Sequence, residues 1–399
     1  MSQDLKAEKA LDVGLPPLDP IRPGEPLLSV RDLKVQFKTD DGILKAVDGV
    51  SYDVYPNEVV GIVGESGSGK SVSSLAIMGL LPKSAKITGE IVFRGQDLLA
   101  MEESDRRKLR GGRLAMVFQD ALAALNPVFT VGDQIGEAIA AHQPAMSKSA
   151  KRRLSVDLLD LVGIPNPSAR VDQFPHEFSG GMRQRAMIAM SIANEPDVLI
   201  ADEPTTALDV TIQAQVLEVL ERIQERTNSA IVLITHDLGV VAGVADRVMV
   251  MYAGRPVETS VVDEIFYHPR HPYTIGLMAS LPRLDAAGAR SERLYRIKGQ
   301  PPSLIFVPSG CPFHPRCEFA LMPDPCSTVR PSLELVEHTY GRHLAACHRR
   351  HEMAQIHPDE LHADAGASFD AIEDAAALTA VESEALEKLS VPAEEEEKK

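Results

Sequence analysis

The sequence predicts an α/β protein with a mostly parallel β-sheet that is covered by helices on both faces. Three short, mainly apolar runs have the length and composition of buried strands: residues 58–64, 197–202 and 230–236. Helical patterns follow two of these runs, at 70–80 and 211–227. Buried strands that alternate with helices indicate a parallel sheet, because parallel neighbours need a helical crossover between them.

The first part of the chain has a different pattern. Residues 28–37 alternate between apolar and polar side chains, as a half-buried strand does, and residues 47–54 are predicted to pair with them. A further short strand is expected at 114–118. Residues 1–27 are polar and contain several Pro and Gly, which predicts a flexible lead-in without the apolar core of a signal peptide.

Helices are expected to dominate the segment from about residue 120 to about residue 190. Three are predicted, at 131–141, 147–162 and 182–193, with prolines in the segments that separate them. The main domain is expected to span residues 28–265.

The C-terminal part contains two regions of different composition. Residues 266–350 are rich in Pro, His and Arg and contain all four cysteines, so a separate, loop-rich module is expected there. From residue 351 the chain is acidic, with fourteen Asp and Glu against three Lys between Glu352 and Lys399. We expect this tail to be mostly disordered, with a transient helix at 371–389.

The formal net charge of −16 belongs mainly to that tail. The rest of the 399-residue chain lacks the strongly basic balance of nucleic-acid-binding proteins, so no nucleic-acid partner is expected. Runs of about 18 apolar residues, which would predict membrane-spanning helices, are absent from the sequence. We therefore expect a cytoplasmic protein that reaches a membrane through partner subunits.

A glycine-rich motif lies between the strand at 58–64 and the helix at 70–80. It fits the pattern G-x-x-x-x-G-K-[ST], in which glycines let successive backbone N–H groups wrap a phosphate. Lys70 supplies positive charge to the β- and γ-phosphates, and the hydroxyl of Ser71 can ligate Mg²⁺. The alternative is a Gly/Ser-rich turn before an ordinary helix. The predicted ATP contacts in this segment are Gly64, Glu65, Ser66, Gly67, Ser68, Gly69, Lys70, Ser71 and Val72.

Two acidic residues stand at the end of the apolar strand at 197–202: Asp202 is its last residue and Glu203 follows directly. Asp202 can hold Mg²⁺ through water, and Glu203 is placed to polarise the attacking water in phosphoryl transfer. The alternative is a strand that ends in a solvated acidic turn. Together with the phosphate motif, the two carboxylates make a complete site for a metal and a nucleotide.

The segment Phe178–Arg185 decides among the protein classes that share such a phosphate motif. It reads Phe-Ser-Gly-Gly-Met-Arg-Gln-Arg and resembles the signature of ABC ATPases, usually written LSGGQ. Phe178 and Met182 are departures from that pattern. Ser179 can cap the following helix, and Gly180 and Gly181 leave N–H groups free at its positive end. The resemblance implies that these four residues, Ser179 to Met182, grip the γ-phosphate held by the opposite subunit; the alternative is a helix cap alone.

Other residues match this family in order along the chain. Gln119 matches the glutamine that links the metal site to the membrane subunit, which adds it to Ser71 and Asp202 as a Mg²⁺ contact. Asp209 matches the D-loop, within Ala207-Leu208-Asp209, and His236 matches the switch histidine that contacts the γ-phosphate. Phe37 matches the aromatic residue that stacks on adenine. Taken singly, these could be a surface glutamine, a histidine at a strand end and a core aromatic.

The resemblance implies an ABC-type ATPase fold. Such a fold has a RecA-like core with a mostly parallel sheet, an antiparallel β subdomain and a helical subdomain, here joined to a small Cys-containing C-terminal module. Two such domains would pack head to tail and sandwich ATP and Mg²⁺ between them. Catalysis would rest on Glu203, His236 and Gln119.

A further segment, His271-Pro-Tyr-Thr274, resembles the C-terminal extension of ATPases from oligopeptide and dipeptide permeases. Gln119-Asp120 and Leu125-Asn-Pro127 also resemble that group, which includes nickel and glutathione importers. The implied partners are a related second ATPase chain, two integral-membrane permease subunits and, through them, an extracytoplasmic substrate-binding protein. The implied location is the cytoplasmic face of the cell membrane.

The four cysteines have the spacing C-x5-C-x8-C-x20-C, which suits one shared four-thiolate site. A C-x2-C pair, the usual element of a zinc ribbon, is absent from the sequence. Zinc, an iron–sulfur cluster and reduced thiols that pack in the interior all stay open. The permease resemblance implies a [4Fe–4S] cluster. The cysteines concerned are Cys311, Cys317, Cys326 and Cys347.

Two rival functions are open from the sequence. A soluble ABC ATPase without a transporter would usually carry a long coiled coil or a second cassette, and neither pattern is present. A nucleotide kinase would use the phosphate motif but leaves Ser179-Gly180-Gly181 without a role.

Overall fold

The computed structural model describes residues 22, 24–206, 208–281, 295–337, 339–356 and 358. The predicted lead-in, the tail helix at 371–389 and Ala207 therefore lie almost wholly outside the described residues. The strands of the described part are β1 (Leu28–Thr39), β2 (Gly42–Val54), β3 (Val59–Val63), β4 (Lys86–Phe93), β5 (Gln96–Asp97), β6 (Leu114–Val117), β7 (Val198–Asp202), β8 (Ala230–Thr235), β9 (Arg247–Tyr252), β10 (Arg255–Val261), β11 (Glu334–Leu335) and β12 (Leu344–Ala345).

The helices alternate with the strands of the main sheet and fill the segment between β6 and β7. They are α1 (Lys70–Met78), α2 (Glu103–Leu109), α3 (Ala121–Ala124), α4 (Val131–His142), α5 (Lys148–Leu161), α6 (Pro167–Arg170), α7 (Gly180–Ser191), α8 (Val210–Thr227), α9 (Leu238–Ala242), α10 (Val262–Tyr267) and α11 (Pro272–Ala279). Single turns of 3-10 helix are formed by Pro175–Glu177, His314–Arg316 and Glu352–Gln355.

The larger sheet has eight strands in the order β11-β12-β10-β9-β3-β8-β7-β6. The five strands from β9 to β6 are parallel, and β10, β12 and β11 continue the sheet with antiparallel pairing. Every residue of β3, β7 and β8 is buried. This arrangement confirms the predicted α/β class, because strands with two buried faces are what the apolar runs predicted.

Successive residues of the central strands enter two different hydrophobic cores, as the two-residue period of a strand requires. On β3, Val59 and Val63 face a core that includes α4, α5, α7 and α8. Val60 and Ile62 face the second core, which includes α1 and the inner faces of β1 and β2. The parallel sheet therefore separates the helical segment from the smaller sheet.

The smaller sheet has four strands in the order β2-β1-β4-β5 and is antiparallel. Its first pair is the one predicted from residues 28–37 and 47–54, and Leu28 lies opposite Val54. Both strands are longer than predicted, because they continue to a turn at Thr39 and Gly42, where the hydroxyl of Thr39 donates to the carbonyl of Gly42.

The C-terminal segment is not separate from the main domain, contrary to the expectation from its composition. β12 pairs with β10, with Glu258 opposite Ala345, and β11 pairs with β12. The backbone N–H of Ala346 also donates to the carbonyl of Val257. Because these short strands form the edge of the large sheet, the segment belongs to the same folded body. No helix in the described residues is long and apolar enough to cross a membrane.

Candidate functional site

The phosphate motif forms a loop between β3 and α1, and the backbone packs tightly around it. At Gly64, with φ of 156°, a Cβ would lie 2.2 Å from the carbonyl oxygen of Met251. At Gly69, with φ of 96°, a Cβ would lie 2.2 Å from the carbonyl oxygen of Ala46. Both positions therefore require glycine. Gly69 is also the N-cap of α1 and gives it no side-chain cap, so the first N–H groups of the helix stay free for an anion.

Lys70 is buried at the start of α1 and its ammonium group turns back into the loop. Its Nζ donates to the carbonyl oxygens of Gly64, at 2.7 Å, and Glu65, at 3.0 Å. Burial lowers the pKa of Lys70, and the carboxylates of Glu203, Asp202 and Glu65 act in the opposite direction. The positive charge is thus held at the centre of the loop before a ligand arrives.

Ser71 and Asp202, two of the predicted Mg²⁺ contacts, lie together. The hydroxyl of Ser71 donates to Oδ1 of Asp202 at 2.9 Å. Burial raises the pKa of Asp202 to about 6, although the bond from Ser71 acts against this rise. Two oxygen donors suit Mg²⁺, which usually takes its remaining ligands from water and substrate phosphates.

Glu203 is the centre of a hydrogen-bonded group that contains all three predicted catalytic residues. Its Oε2 accepts from Nε2 of Gln119 at 3.2 Å and from the hydroxyl of Thr206 at 2.7 Å. Nδ1 of His236 lies 3.3 Å from the same oxygen. The bond with His236 lowers the pKa of Glu203 against the effect of burial, and the bond from Thr206 lowers it further. Glu203 is therefore ionised at neutral pH.

The backbone of Glu203 is itself unusual. Its φ is 46°, in the left-handed region that side chains other than glycine seldom adopt. Its N–H donates to the carbonyl of Ile234 in β8 at 2.9 Å. This bend turns the carboxylate from the end of β7 toward Gln119 and His236, and strain of this kind concentrates at functional sites.

The segment around Ser179 has the geometry that its sequence predicted. Ser179 is the N-cap of α7, and its Oγ accepts from the N–H of Met182 at 3.3 Å. Ser179 and Gly180 are exposed, and a Cβ on Gly180 would meet nothing within 4 Å. Gly181 is buried, and a Cβ there would lie 2.6 Å from Cγ2 of Ile212. The start of α7 is therefore open toward solvent on one side and packed against α8 on the other.

Two family models match the chain. One is described as ABC transporter and matches residues 47–206, and the other is described as Oligopeptide/dipeptide transporter, C-terminal region, and matches residues 257–323. The dipeptide transport ATP-binding protein DppD of Bacillus subtilis (strain 168) is 56% identical over 295 residues, which is 73% of this chain and 87% of that protein. The chain belongs to the ABC transporter family, in its oligopeptide and dipeptide group.

Other relatives place the chain in the same group. The oligopeptide transport ATP-binding protein OppD of Escherichia coli (strain K12) is 48% identical over 321 residues, 80% of this chain and 92% of that protein. OppD of Mycobacterium tuberculosis (strain ATCC 25618 / H37Rv) is 53% identical over 324 residues, 81% of this chain. This ABC chain spans only 52% of the length of that mycobacterial relative.

Solved structures show the same fold. The dimeric structure of MJ0796, a bacterial ABC transporter cassette, superimposes with a TM-score of 0.53 at 24% identity and covers 59% of this chain and 98% of that one. cbiO1 from Clostridium perfringens, part of the ABC transporter complex cbiONQ, gives a TM-score of 0.52 at 27% identity, with 61% and 91% covered.

Phe37 of this ABC chain, the predicted adenine contact, is buried in the described structure. Its side chain is 2% exposed and belongs to the core between the smaller sheet and α1. Along β1 it points to the same side as the buried Val35, because the two are separated by one strand period. This burial agrees with the core alternative, and the contact of Phe37 with adenine stays a prediction.

The remaining predicted residues are placed as follows. Asp209 is the N-cap of α8, and its carboxylate accepts from the N–H of Ile212 at 3.0 Å. Ser66 and Gly67 are exposed at the tip of the loop, and Ser68 is buried. Val72 is half-buried against the second core. Asp209 thus has a structural task in addition to any contact with a partner.

Sequence reasoning missed three residues that this ABC site contains. Thr206 holds the carboxylate of Glu203, and its place three residues after that glutamate was the available signal. Tyr273 and Arg316, from the C-terminal segment, both contact Glu65 of the phosphate loop. Tyr273 belongs to the noted segment His271–Thr274, but nothing in the local sequence connects Arg316 with a loop 251 residues away.

The four cysteines are free thiols in the described structure. Burial raises the pKa of Cys317 and of Cys347 to about 12, and neighbouring cysteines add to the rise in both cases. Among the residues that the structure describes, no three His, Cys, Asp or Glu side chains are arranged to hold a metal ion. The cluster and the zinc ion that were weighed from the sequence therefore both stay proposals.

Proposed function

We propose that this chain is the ATP-binding and ATP-hydrolysing subunit of an importer for oligopeptides or dipeptides. The observation that supports this most is the position of Glu203, whose Oε2 is contacted by Gln119, Thr206 and His236 beside a phosphate loop. The relatives that share both parts of the chain are named as oligopeptide and dipeptide transport ATP-binding proteins.

The phosphate loop binds the triphosphate in this proposal. The free N–H groups at the start of α1 and the ammonium group of Lys70 neutralise the β- and γ-phosphates. Ser71 and Asp202, with the predicted contact Gln119, would hold Mg²⁺, which would withdraw charge from the phosphates. Asp202 is ready for this task because Ser71 already orients its carboxylate.

Glu203 acts on the water that attacks the γ-phosphorus. Its ionised carboxylate orients the water and accepts its proton as the bond from the γ-phosphorus to the leaving ADP oxygen breaks. Gln119 and Thr206 hold the carboxylate in place. His236 is 51% exposed in its side chain, so its ring can reach a γ-phosphate while it keeps its contact with Glu203.

A second ATPase chain completes the site. Ser179 and Gly180 are exposed at the positive end of α7, which suits them to bind the γ-phosphate held by a neighbour. We propose a related chain as that neighbour, packed head to tail, with Asp209 at the junction. The complex would be peripheral, on the cytoplasmic face of the membrane.

The segment after β6 offers a surface for membrane subunits. Phe118 next to Gln119, and Val128 and Phe129 further on, are large apolar side chains that are 40%, 70% and 52% exposed. Exposed large apolar side chains within one short segment are typical of an interaction site. We propose that two permease subunits dock here and, through them, an extracytoplasmic substrate-binding protein delivers peptide.

The variant Glu203→Gln tests hydrolysis. It keeps the size of the side chain and removes its basic oxygen, so we expect ATP binding to persist while turnover falls by about a thousandfold. Glu221→Gln, on an exposed face of α8, is the matched control and should hydrolyse ATP normally. Phosphate release and binding of a fluorescent ATP analogue measure the two properties. Normal turnover in Glu203→Gln would remove that residue from the role.

Transport needs a separate test. Co-purification of this chain with integral-membrane subunits, followed by uptake of labelled peptide in vesicles, would support the peptide importer. Uptake of nickel or glutathione but not of peptide would show that the proposed substrate is wrong, although the chain would still be the ATPase of an importer of the same family. A phosphorylated acceptor instead of free phosphate would indicate a kinase.

We also propose that the four cysteines hold a [4Fe–4S] cluster, with zinc as the alternative. The support is chemical: each sulfur accepts a hydrogen bond from a backbone N–H, as in Leu321 to Cys326 and Arg349 to Cys347, both at 3.3 Å. Such bonds stabilise ligated thiolates. Iron, acid-labile sulfide and zinc contents of anaerobically purified protein decide between them, and a protein with neither metal contradicts both.

A further inference from the structure

Glu65, the second residue of the phosphate loop, has four hydrogen-bond partners, and two of them lie in the C-terminal segment. Its N–H donates to the hydroxyl of Tyr273 at 2.8 Å. Its carboxylate accepts from both terminal nitrogens of Arg316, at 2.6 and 2.9 Å. The other two partners are local, since the carbonyl of Glu65 accepts from Nζ of Lys70 and from the N–H of Ser68. The loop is therefore tied on one side to Lys70 and on the other to the C-terminal segment.

Arg316 is held in place independently of Glu65. Its side chain is buried, with 5% exposed, and its Nε donates to the carbonyl of Lys298 at 3.0 Å. Its guanidinium lies 5.8 Å from the ring centre of Tyr252 and 6.0 Å from that of Phe313. A buried arginine with these contacts is a rigid anchor, and its two-pronged bond to Glu65 fixes both position and orientation.

Tyr273 is similarly rigid. Its ring is fully buried and packs on Tyr252, with centroids 4.7 Å apart, and on Phe313, at 5.4 Å. Burial raises the pKa of the Tyr273 hydroxyl, which therefore stays neutral. This hydroxyl accepts the hydrogen bond from the N–H of Glu65, so this N–H does not point toward the phosphate.

Charge gives the connection a functional consequence. A glutamate in the loop that receives a triphosphate adds negative charge where negative charge must bind, and its field already reaches Lys70. The guanidinium of Arg316 compensates that charge at a distance of 2.6 Å. Without Arg316, the carboxylate of Glu65 would be free to turn toward the phosphates or to form an ion pair with the ammonium group of Lys70.

Arg316 also lies inside the cysteine region. It ends the single 3-10 turn His314–Arg316 and directly precedes Cys317. The N–H of His314 donates to the carbonyl of Cys311, and the N–H of Cys311 donates to the carbonyl of Cys326. A change in the arrangement of these cysteines would therefore move the anchor of the phosphate loop.

From these contacts we propose that Arg316 and Tyr273 are positioning residues that hold Glu65 and set the affinity of the phosphate loop for ATP. The C-terminal segment thereby controls nucleotide binding in the main domain. The proposal rests on the proposed ATP-binding function and adds to it a defined route between the cysteine region and the nucleotide.

Binding of a fluorescent ATP analogue to the full chain tests the proposal. We expect Arg316→Ala to bind about tenfold more weakly, because it leaves the carboxylate of Glu65 without its partner. The double variant Glu65→Ala/Arg316→Ala should recover most of this affinity, since it also removes the uncompensated charge. Wild-type affinity in Arg316→Ala overturns the proposal. The proposal also fails if the change in binding free energy of the double variant equals the sum of the changes measured in Arg316→Ala and Glu65→Ala.

Tyr273→Phe is the second variant, because it keeps the ring packing and removes only the hydroxyl. We expect binding to weaken by about threefold at an unchanged unfolding temperature, which a merely structural role would not produce. Binding equal to wild type would overturn the role of Tyr273. Lys70→Ala serves as the reference for the site itself: if wild type and Lys70→Ala bind the analogue equally, the ATP-binding function fails and the positioning proposal is not at fault.

Discussion

Ser71 and Asp202, which lie 131 residues apart in the chain, are joined by a hydrogen bond of 2.9 Å from the serine hydroxyl to Oδ1 of the aspartate. The bond closes the site between α1 and β7. Burial of the same carboxyl raises the pKa of Asp202 to about 6, above its usual value of 3.8. The folded protein therefore binds this proton more tightly than the unfolded chain does, and the corresponding stability is lost as the pH rises through about 6.

Asp202→Asn should uncouple stability from activity. The amide keeps an oxygen for Ser71 and carries no charge, so without nucleotide the variant should be more stable than wild type at pH 8, by about 3 kcal/mol, and should lose this advantage at low pH. ATPase activity should be lost with the carboxylate. Thermal unfolding across this pH range measures the difference, with Asp160→Asn on the exposed face of α5 as control. Parallel pH profiles for Asp202→Asn and wild type would contradict the expectation.

Thr206→Val should slow hydrolysis by about tenfold and leave ATP affinity unchanged. The change removes the hydroxyl that donates to Glu203 at 2.7 Å and keeps the shape of the side chain. Thr206→Ser retains the hydroxyl and is the matched control, with turnover near that of wild type. Steady-state phosphate release separates the two variants. Equal losses in both would show that packing, and not the hydroxyl, matters at this position.

His236→Ala should move the acid limb of the pH–rate profile to higher pH. In the folded protein His236 lowers the pKa of Glu203, and Glu203 raises the pKa of His236. Without the imidazole the carboxylate becomes protonated at a less acidic pH, so its reactive form is lost earlier as the pH falls. Single-turnover hydrolysis between pH 5 and 9, a range of about two units to either side of neutrality, gives the profile. A reduced rate with an unshifted acid limb would argue against this link.

Gly181→Ala and Gly180→Ala form a matched pair at the start of α7. A methyl group on Gly181 would lie 2.6 Å from Ile212, so we expect a loss of about 1–3 kcal/mol in the free energy of unfolding. A methyl group on Gly180 meets nothing within 4 Å and should leave stability unchanged. Denaturant unfolding of both variants provides the comparison. If Gly180→Ala nevertheless prevents nucleotide-dependent pairing of two ATPase chains, the proposed role of this face gains support.

His343→Ala should destabilise the C-terminal edge of the large sheet. His343 and Glu258 are fully buried, with Nε2 of the histidine 2.7 Å from Oε1 of the glutamate, and Glu264 lies 3.6 Å from Nδ1. Removing the imidazole leaves buried Glu258 with only the backbone N–H groups of Arg270 and His271 as partners, at a cost of about 1–3 kcal/mol. The double variant Glu258→Gln/His343→Ala should be less destabilised than the sum of the single variants. Strict additivity of the unfolding free energies would contradict a direct pairing.

The sequence predicted the elements of the nucleotide site well, because each has a strong local pattern. The strand expected at 197–202 is found at Val198–Asp202, and the helix expected at 211–227 is found at Val210–Thr227. Helix α1 ends two residues earlier than expected, since Gly79 adopts a left-handed conformation and ends it. Ends set by backbone conformation are harder to locate than apolar runs.

The sequence was less informative where long-range packing decides. Phe37 has the position of a nucleotide contact in the sequence, but the pairing of β1 with β2 and β4 turns it inward. The C-terminal segment has the composition of a separate module, yet its two short strands join the large sheet and Arg316 reaches the phosphate loop. No pattern within a few residues of Arg316 or Glu65 could have indicated a bond across 251 positions.

The outermost strands of the large sheet on the C-terminal side, β11 and β12, are only two residues long each. A long unpaired strand would offer a row of free N–H and C=O groups on which another chain could add itself. β12 pairs with β10 over two residues, and β11 pairs with β12 over two residues, so few unpaired backbone groups remain at this edge of the sheet. During synthesis, β10 stays unpaired on this side until residues 344–345 have been made and have docked. Self-association through this edge would be expected in that interval.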